Sequence, residues 1–436
     1  MKLLVFAHTP PPHHGQSYMV QLMLEGFGGD QRHPNTPSRD NRAAALRAEG
    51  GRYGVECYHV NARLSQKLED IGDLRIGKFI LLIGYCFQAI WCRFRYGVTN
   101  FYYIPAPGKP SALYRDWMVM LLCRWCFKRI ILHWHAAGLA KWLEMVVQMR
   151  SRSLTYHFMR QPDLSIVLSQ YNRADAEKIY SRQITIIGNG IPDPCPDFER
   201  AVLARRKARF AARKKLLSGQ ALQDSDLRDT GGDPREVRVL YLAHCTREKG
   251  LFDTVKGVAL ASRRLAERKF PVSLKLMVAG TFVSAEQKAE FDKLLAEPGM
   301  QDVVQYFGFV SGEQKEQLLR EADLFCFPTY YENENQPVNL IEAMAFGLPI
   351  LTTRWRSLPE LFPVDYPGLV DIRSPEQIAN VMPALMTGEA GDGFRDIFLR
   401  SYTLERHLTG LADALHKVEQ PAAEPGMVVF SDAHGK

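Results

Sequence analysis

The run Glu334-Asn335-Gln336-Pro337-Val338-Asn339-Leu340-Ile341-Glu342-Ala343-Met344-Ala345-Phe346-Gly347-Leu348-Pro349 carries two carboxylates with seven residues between them. The apolar run Leu324–Phe327 precedes it and Pro349–Thr353 closes it, both with the character of buried strands. Strand, loop, amphipathic helix, glycine turn and strand make a βαβ unit, which belongs to a parallel sheet. Pro337 suits the first helical turn, where no N–H is needed. The N–H groups of Val338 and its neighbours then point out of the helix start, where the dipole favours a phosphate.

The same alternation extends in both directions. Leu3–Ala7, Phe101–Ile104, Arg129–His133 and Leu164–Leu168 read as strands of a first half, with helices at Ser17–Phe27, Ile76–Tyr96 and Ala112–Phe127. In the second half the strands are Val237–Ala243, Leu274–Ala279, Val303–Phe307, Leu324–Phe327 and Pro349–Thr353. The helices there are Leu251–Arg268, Ser284–Leu295, Gly312–Ala322, Val338–Phe346 and Leu404–Val418. At 436 residues, two domains of about 200 residues are expected. The pattern predicts an α/β fold of two tandem Rossmann-like, doubly wound domains with a ligand cleft between them. Residues 28–52 are polar and read as a mobile loop or a poor helix.

Hydrophobic residues at 46% and charged residues at 24% describe a globular chain. The apolar N-terminus breaks at Pro10–Pro12, too short for a signal-peptide core, and Phe79–Trp91 is too short and too interrupted to span a bilayer. A cytoplasmic protein with reduced thiols is expected from its eight scattered cysteines. Cys123-x-x-Cys126 lies in an apolar helical stretch and reads as core. The net charge is +7, and eight Lys or Arg crowd Arg200–Lys215. That helix is either a solvated face or a surface for anionic lipid or an acidic substrate.

Three further segments carry chemistry. Val239–Leu242 runs into His244-Cys245-Thr246-Arg247-Glu248-Lys249-Gly250, placing cations at a strand end before a helix, where they can stabilise developing negative charge. Thr9–Ser17 places Gly15 before the first helix, allowing close backbone approach. His133-Trp134-His135 ends a strand; His135 faces the cleft and His133 alternates into the core.

Together these segments resemble the GT-B retaining glycosyltransferases of family four, with its E-x7-E motif at Glu334 and Glu342. Lys249-Gly250 match that family's Lys-Gly, with His244 at its arginine position and Arg247 three residues later. Ser169, Gly188–Ile191, Gly308–Val310 and Leu358–Glu360 resemble lesser family segments. The resemblance implies that Glu334, His135, Lys249 and Arg247 do the catalytic work. Glu342, Gly15, Val310, Gln336, Pro337, Val338, Asn339 and His244 would bind the donor, Glu342 gripping its ribose. It implies no metal and no cofactor beyond a UDP- or GDP-type sugar, transferred to a glycan or lipid-linked acceptor in cell-surface polysaccharide synthesis.

The expected units are an acceptor domain at 1–195, a basic helix and loop at 196–236 and a donor domain at 237–402. A crossover helix at 403–418 and a disordered tail at 419–436 complete the chain. A basic aromatic surface (Trp91, Arg93, Phe94, Arg95, Tyr96, Arg124, Trp125) reads equally as core or as a peripheral membrane face. Two competitors remain at this level: a nucleotide-sugar epimerase or hydrolase of the same fold, and a polyanion or nucleic-acid binder using the basic helix.

Overall fold

The computed structural model describes residues 1–11, 14–34, 47–64, 76–105, 108–391 and 393–420. Pro12, His13, residues 35–46 of the expected loop and 421–436 of the expected tail lie outside the described residues.

Two six-stranded sheets form, with every pairing parallel. The first holds β1 (Lys2–Phe6), β2 (Glu56–Val60), β3 (Asn100–Tyr103), β4 (Arg129–Trp134), β5 (Leu164–Val167) and β6 (Ile184–Ile186), in the order β2-β1-β3-β4-β5-β6. The second holds β7 (Glu236–Leu242), β8 (Ser273–Ala279), β9 (Val304–Gly308), β10 (Leu324–Phe327), β11 (Ile350–Thr353) and β12 (Leu369–Val370), in the order β12-β11-β10-β7-β8-β9. Parallel strands covered on both faces must be apolar along their whole length, which is why nine of them show as continuous apolar runs. The three not legible are β2, which mixes Glu56 and His59 into its run, and the short strands β6 and β12.

Each sheet reverses its strand order once. The reversal falls between β1 and β3 in the first lobe and between β7 and β10 in the second. Loops leaving neighbouring strands at such a point diverge and open a crevice at the carboxyl ends. Gly15 follows β1, Lys249 follows β7 and Glu334 follows β10, so the motif segments sit at the two crevices.

The principal helices are α1 (Gly15–Gly26), α2 (Ile76–Tyr96), α3 (Pro110–Cys123), α4 (Met149–Met159), α5 (Ala204–Leu217), α6 (Leu251–Glu267), α7 (Gly312–Glu321), α8 (Val338–Ala345) and α9 (Leu404–Glu419). Helix α9 returns from the second lobe to the first. Its Leu408 packs so closely on α1 that a Cβ at Gly26 would lie 2.3 Å from Leu408 Cδ1. Asn100 donates to Glu419 (3.0 Å) and Arg129 to the Val418 carbonyl (2.9 Å). The two crossings between lobes touch: Ile191 N–H donates to the Tyr402 carbonyl and Leu404 N–H to the Ile191 carbonyl, at 2.9 and 2.8 Å.

The basic helix α5 is a solvated face only in part, with Arg205, Lys207, Lys214 and Lys215 exposed. Arg206, Arg209 and Arg213 are buried against the second lobe. Arg206 donates to the carbonyl of Phe346 at the carboxyl end of α8, where the helix dipole favours a cation. Arg209 and Arg213 pair with the fully buried Asp323 at 2.6 and 2.9 Å, and Arg213 also donates to the carbonyls of Pro234, Glu236 and Met386. Burial alone would raise the Asp323 carboxyl, but Arg213 and Arg209 outweigh it and hold it below the ordinary carboxylate range. Three of the eight cations are therefore structural and out of reach of an external polyanion. All eight cysteines are free thiols, and no helix among the described residues is long and apolar enough to cross a membrane.

Candidate active site in the cleft between the lobes

A cleft of about 900 Å³ lies between the lobes and is lined by residues of both. From the second lobe, β7 delivers the 243–250 loop. Gly250 takes a left-handed conformation (φ 79°), and a Cβ there would stand 2.3 Å from the Pro328 carbonyl oxygen. Only glycine lets this loop lie against the end of β10, and that contact carries Lys249 to Glu334. Lys249 Nζ is 2.7 Å from Glu334 Oε2, and the Thr329 hydroxyl lies 2.9 Å from the same oxygen. The ammonium also sits 4.5 Å from the centre of the Tyr331 ring.

Pro337 is the N-cap of α8, one position ahead of the first turn. The other carboxylate, Glu342, is buried on this helix and pairs at 2.6 Å with Lys315 of α7. Burial works against the Lys315 ammonium, yet Glu342 outweighs it and raises its pKa. Lys315 was not legible: on an amphipathic helix it reads like any solvated lysine, and only its place after the Gly308–Val310 turn hinted at a cleft position.

The first lobe brings a second helix start. Gly15 begins α1, and a Cβ there would lie 3.9 Å from Val338 Cγ2, so the amino ends of α1 and α8 face each other across the cleft. Both dipoles favour an anion between them. His14 caps α1: its Nδ1 accepts from Ser17 N–H at 3.3 Å. Its proton therefore sits on Nε2 and is donated to His8 Nε2, 2.8 Å away. Burial, then the neighbouring His14, lowers the His8 pKa to about 3.

His135 lines the cleft, while His133 is buried behind it with the ring centres 4.3 Å apart. Burial, then His407 and His14, lowers the His135 pKa to about 3, so it is a neutral hydrogen-bonding group. His133 Nδ1 meets the Tyr102 hydroxyl at 2.5 Å, but its Nε2 has no partner, so it is a core residue only half satisfied. His244 and Val310 line the cleft, and burial, then Lys249, lowers the His244 pKa. Asn339 donates to the Leu242 carbonyl at 2.8 Å and leaves its buried Oδ1 unpaired.

Two candidates sit differently from expectation. Arg247 is not among the cleft-lining residues; its guanidinium pairs with Glu290 at the surface and lies over the Phe252 ring. A flexible cation with an exposed acid one helix away has no reason to enter the crevice. Gln336 lines the cleft, but its side chain accepts from Asn189 N–H, and the Asn189 side chain also donates to the Gln336 carbonyl at 2.9 Å. Next to it, Asn335 donates to Asn172 (2.8 Å) and accepts from Ser169 (3.0 Å) and Ser357 (3.1 Å). The loop after Glu334 is thus bonded to the first lobe. Glu360 adds to the seam, accepting from the N–H groups of Gln170 and Tyr171, both at 2.7 Å. Among the described residues, no group of three or more His, Cys, Asp or Glu is arranged to hold a metal ion.

Residues 223–393, which contain Lys249, Glu334 and Glu342, match the family model of glycosyl transferases group 1. The second lobe is thus similar to the group 1 glycosyl transferases. Among curated relatives, the amylovoran biosynthesis glycosyltransferase AmsK of Erwinia amylovora is 30% identical over 169 residues, 38% of this chain and 39% of that protein. The D-inositol 3-phosphate glycosyltransferase of Pseudarthrobacter chlorophenolicus is 31% identical over 127 residues, 29% of each chain. These matches therefore span less than half of either relative. The fold likeness is wider. Anabaena HepE in complex with UDP-glucose superposes with a TM-score of 0.60 at 14% identity, covering 95% of this chain and 99% of that one. Sucrose-phosphate synthase from Thermosynechococcus elongatus gives 0.63 at 16%, covering 96% and 99%. The whole chain thus has the GT-B arrangement of two Rossmann-like domains.

Proposed function

We propose that the chain transfers a glycosyl unit from a UDP- or GDP-type sugar to a hydroxyl of a glycan or lipid-linked acceptor, with retained configuration and without a metal. The observation that carries this reading is the placement of two carboxylate–lysine pairs, Glu334–Lys249 and Glu342–Lys315, at a cleft where two helix amino ends converge. The diphosphate of the donor would lie between those helix ends. As its bond to the sugar breaks, negative charge grows on the phosphate oxygens, and Lys249 stabilises that state more than the ground state. Glu334 holds the ammonium in position and faces the sugar; Glu342, oriented by Lys315, accepts from the ribose hydroxyls. Neutral His135 hydrogen-bonds the sugar from the first lobe. The base would rest on Val310 and the exposed Phe309, both lining the cleft. Retention rests on the resemblance of the two-carboxylate motif, and a polysaccharide product on the kind of biosynthesis named for AmsK.

The test is a panel of nucleotide sugars read by thermal shift and then by transfer to added acceptors. A donor at a hundred times its Kd stabilises the protein by about 2.7 kcal/mol. Absence of any shift with UDP- and GDP-sugars, or product formation without an acceptor, overturns the reading. A chelator that abolishes transfer overturns its metal-free part.

A further inference from the structure

Helix α2 has two apolar faces, and the fold uses only one of them. Leu82, Cys86, Ala89 and Cys92, spaced at helical intervals, are buried against the first sheet. On the opposite side, Ile80, Ile83, Phe87, Trp91 and Phe94 recur at the same intervals and stand in solvent, with Trp91 54% and Phe94 73% exposed. An amphipathic surface helix ordinarily places polar residues there. The neighbouring α3 repeats the pattern with Tyr114, Leu121 and the adjoining Trp125, which is 77% exposed. Strand order puts α2 and α3 side by side on one face of the sheet, so these stripes look the same way. Contiguous exposed apolar surface of this extent marks an interaction site.

Charge identifies the partner. Residues 76–160 hold twelve Lys or Arg and two acids, an excess of ten in a chain whose net charge is seven. One of the acids, Asp116, is buried, and α2 contains no acid at all. Aromatic side chains flanked by the exposed Arg95 and Lys128 match the boundary of an anionic bilayer, where rings sit at headgroup depth and cations meet lipid phosphates. The α2 start also lines the cleft through Lys78, Phe79 and Leu82.

We infer that the outer face of α2 and α3 docks on the surface of an anionic lipid bilayer and sets the cleft mouth against it. An acceptor carried on a lipid phosphate would then enter along Lys78 and Phe79; this second clause rests on the proposed transfer reaction, whereas the docking does not.

The experiment is flotation of the full chain with vesicles of phosphatidylcholine alone or mixed with phosphatidylglycerol, with no nucleotide sugar present. The protein should float with the mixed vesicles and stay behind with the neutral ones. A Phe87→Ser, Trp91→Ser, Phe94→Ser triple variant should bind about tenfold more weakly with an unchanged thermal melt, since all three side chains face solvent. Arg95→Glu with Lys128→Glu should do the same by removing charge alone. Wild-type protein that ignores anionic vesicles, or variants that float as well as wild type, overturns the inference. So does a wild-type dimer that the triple variant makes monomeric, because the face would then belong to a second copy. Vesicle binding without sugar transfer to any lipid-linked acceptor would retain the docking and remove the entry of a lipid-carried acceptor along Lys78 and Phe79.

Discussion

Two basic helices, α5 and α2, occupy opposite roles to those their compositions suggest. Helix α5 is dense in Lys and Arg, yet its Arg206, Arg209 and Arg213 are turned inward onto Asp323 and backbone carbonyls of the second lobe. Helix α2 is apolar enough to read as core as readily as a surface, and half of its apolar surface faces outward. Charge density reports how many cations a segment carries; where they go depends on whether buried acceptors await them. The lobes differ in the same way at the cleft. The second supplies paired charges, and the first supplies neutral histidines.

That contrast is broken most forcefully by acid. Burial lowers His8 and His135 to about 3 and His59 and His407 to about 4, and puts His133 well below its ordinary value. The unfolded chain takes up protons on these groups near pH 6.5 while the folded chain does not, so stability falls as pH drops from about 6.5 towards 4. Each histidine costs on the order of 2 kcal/mol at pH 5, and thermal melts at pH 7.5 and 5 should differ by roughly ten degrees. A flat profile would show that the first lobe is not built on neutral imidazoles.

Next in size is Asp323→Ala, which leaves Arg209 and Arg213 buried without their anion and should cost about 3–5 kcal/mol in urea unfolding. An unchanged midpoint would return α5 to the solvated surface. Lys249→Ala should lower turnover about a hundred- to thousandfold, roughly 3–4 kcal/mol of barrier, with the fold intact by circular dichroism. Arg247→Ala, removing only a surface pair, should change turnover little; a loss as large as that of Lys249→Ala would mean the guanidinium enters the cleft during the reaction. Smallest is Lys207→Ala on the exposed side of α5, with an effect within about 0.5 kcal/mol.

Much of this molecule was legible because parallel strands buried on both faces leave continuous apolar runs, and because Glu334, Pro337 and Glu342 fall at a loop and helix start that few other folds produce. Lys249 was legible through Gly250, whose backbone shape admits no side chain. Lys315, Asn335 and Asp323 were not, since each acts on a residue distant in sequence. A lysine, an amide or an acid looks the same in the chain whether its partner is water or a buried group from another element. Strands β2, β6 and β12 escaped because edge positions tolerate polar or very short segments.

The chain passes between the lobes twice, and Ile191 and Thr403 stitch those passages to each other. A spine bound at one place favours opening like the covers of a book over free swivelling. Because the page nearest the spine carries Asn335 and Gln336, fastened to the opposite cover, parting the lobes must tug on the segment that holds Glu334. Opening of the cleft and displacement of Glu334 are thereby geared to a single movement.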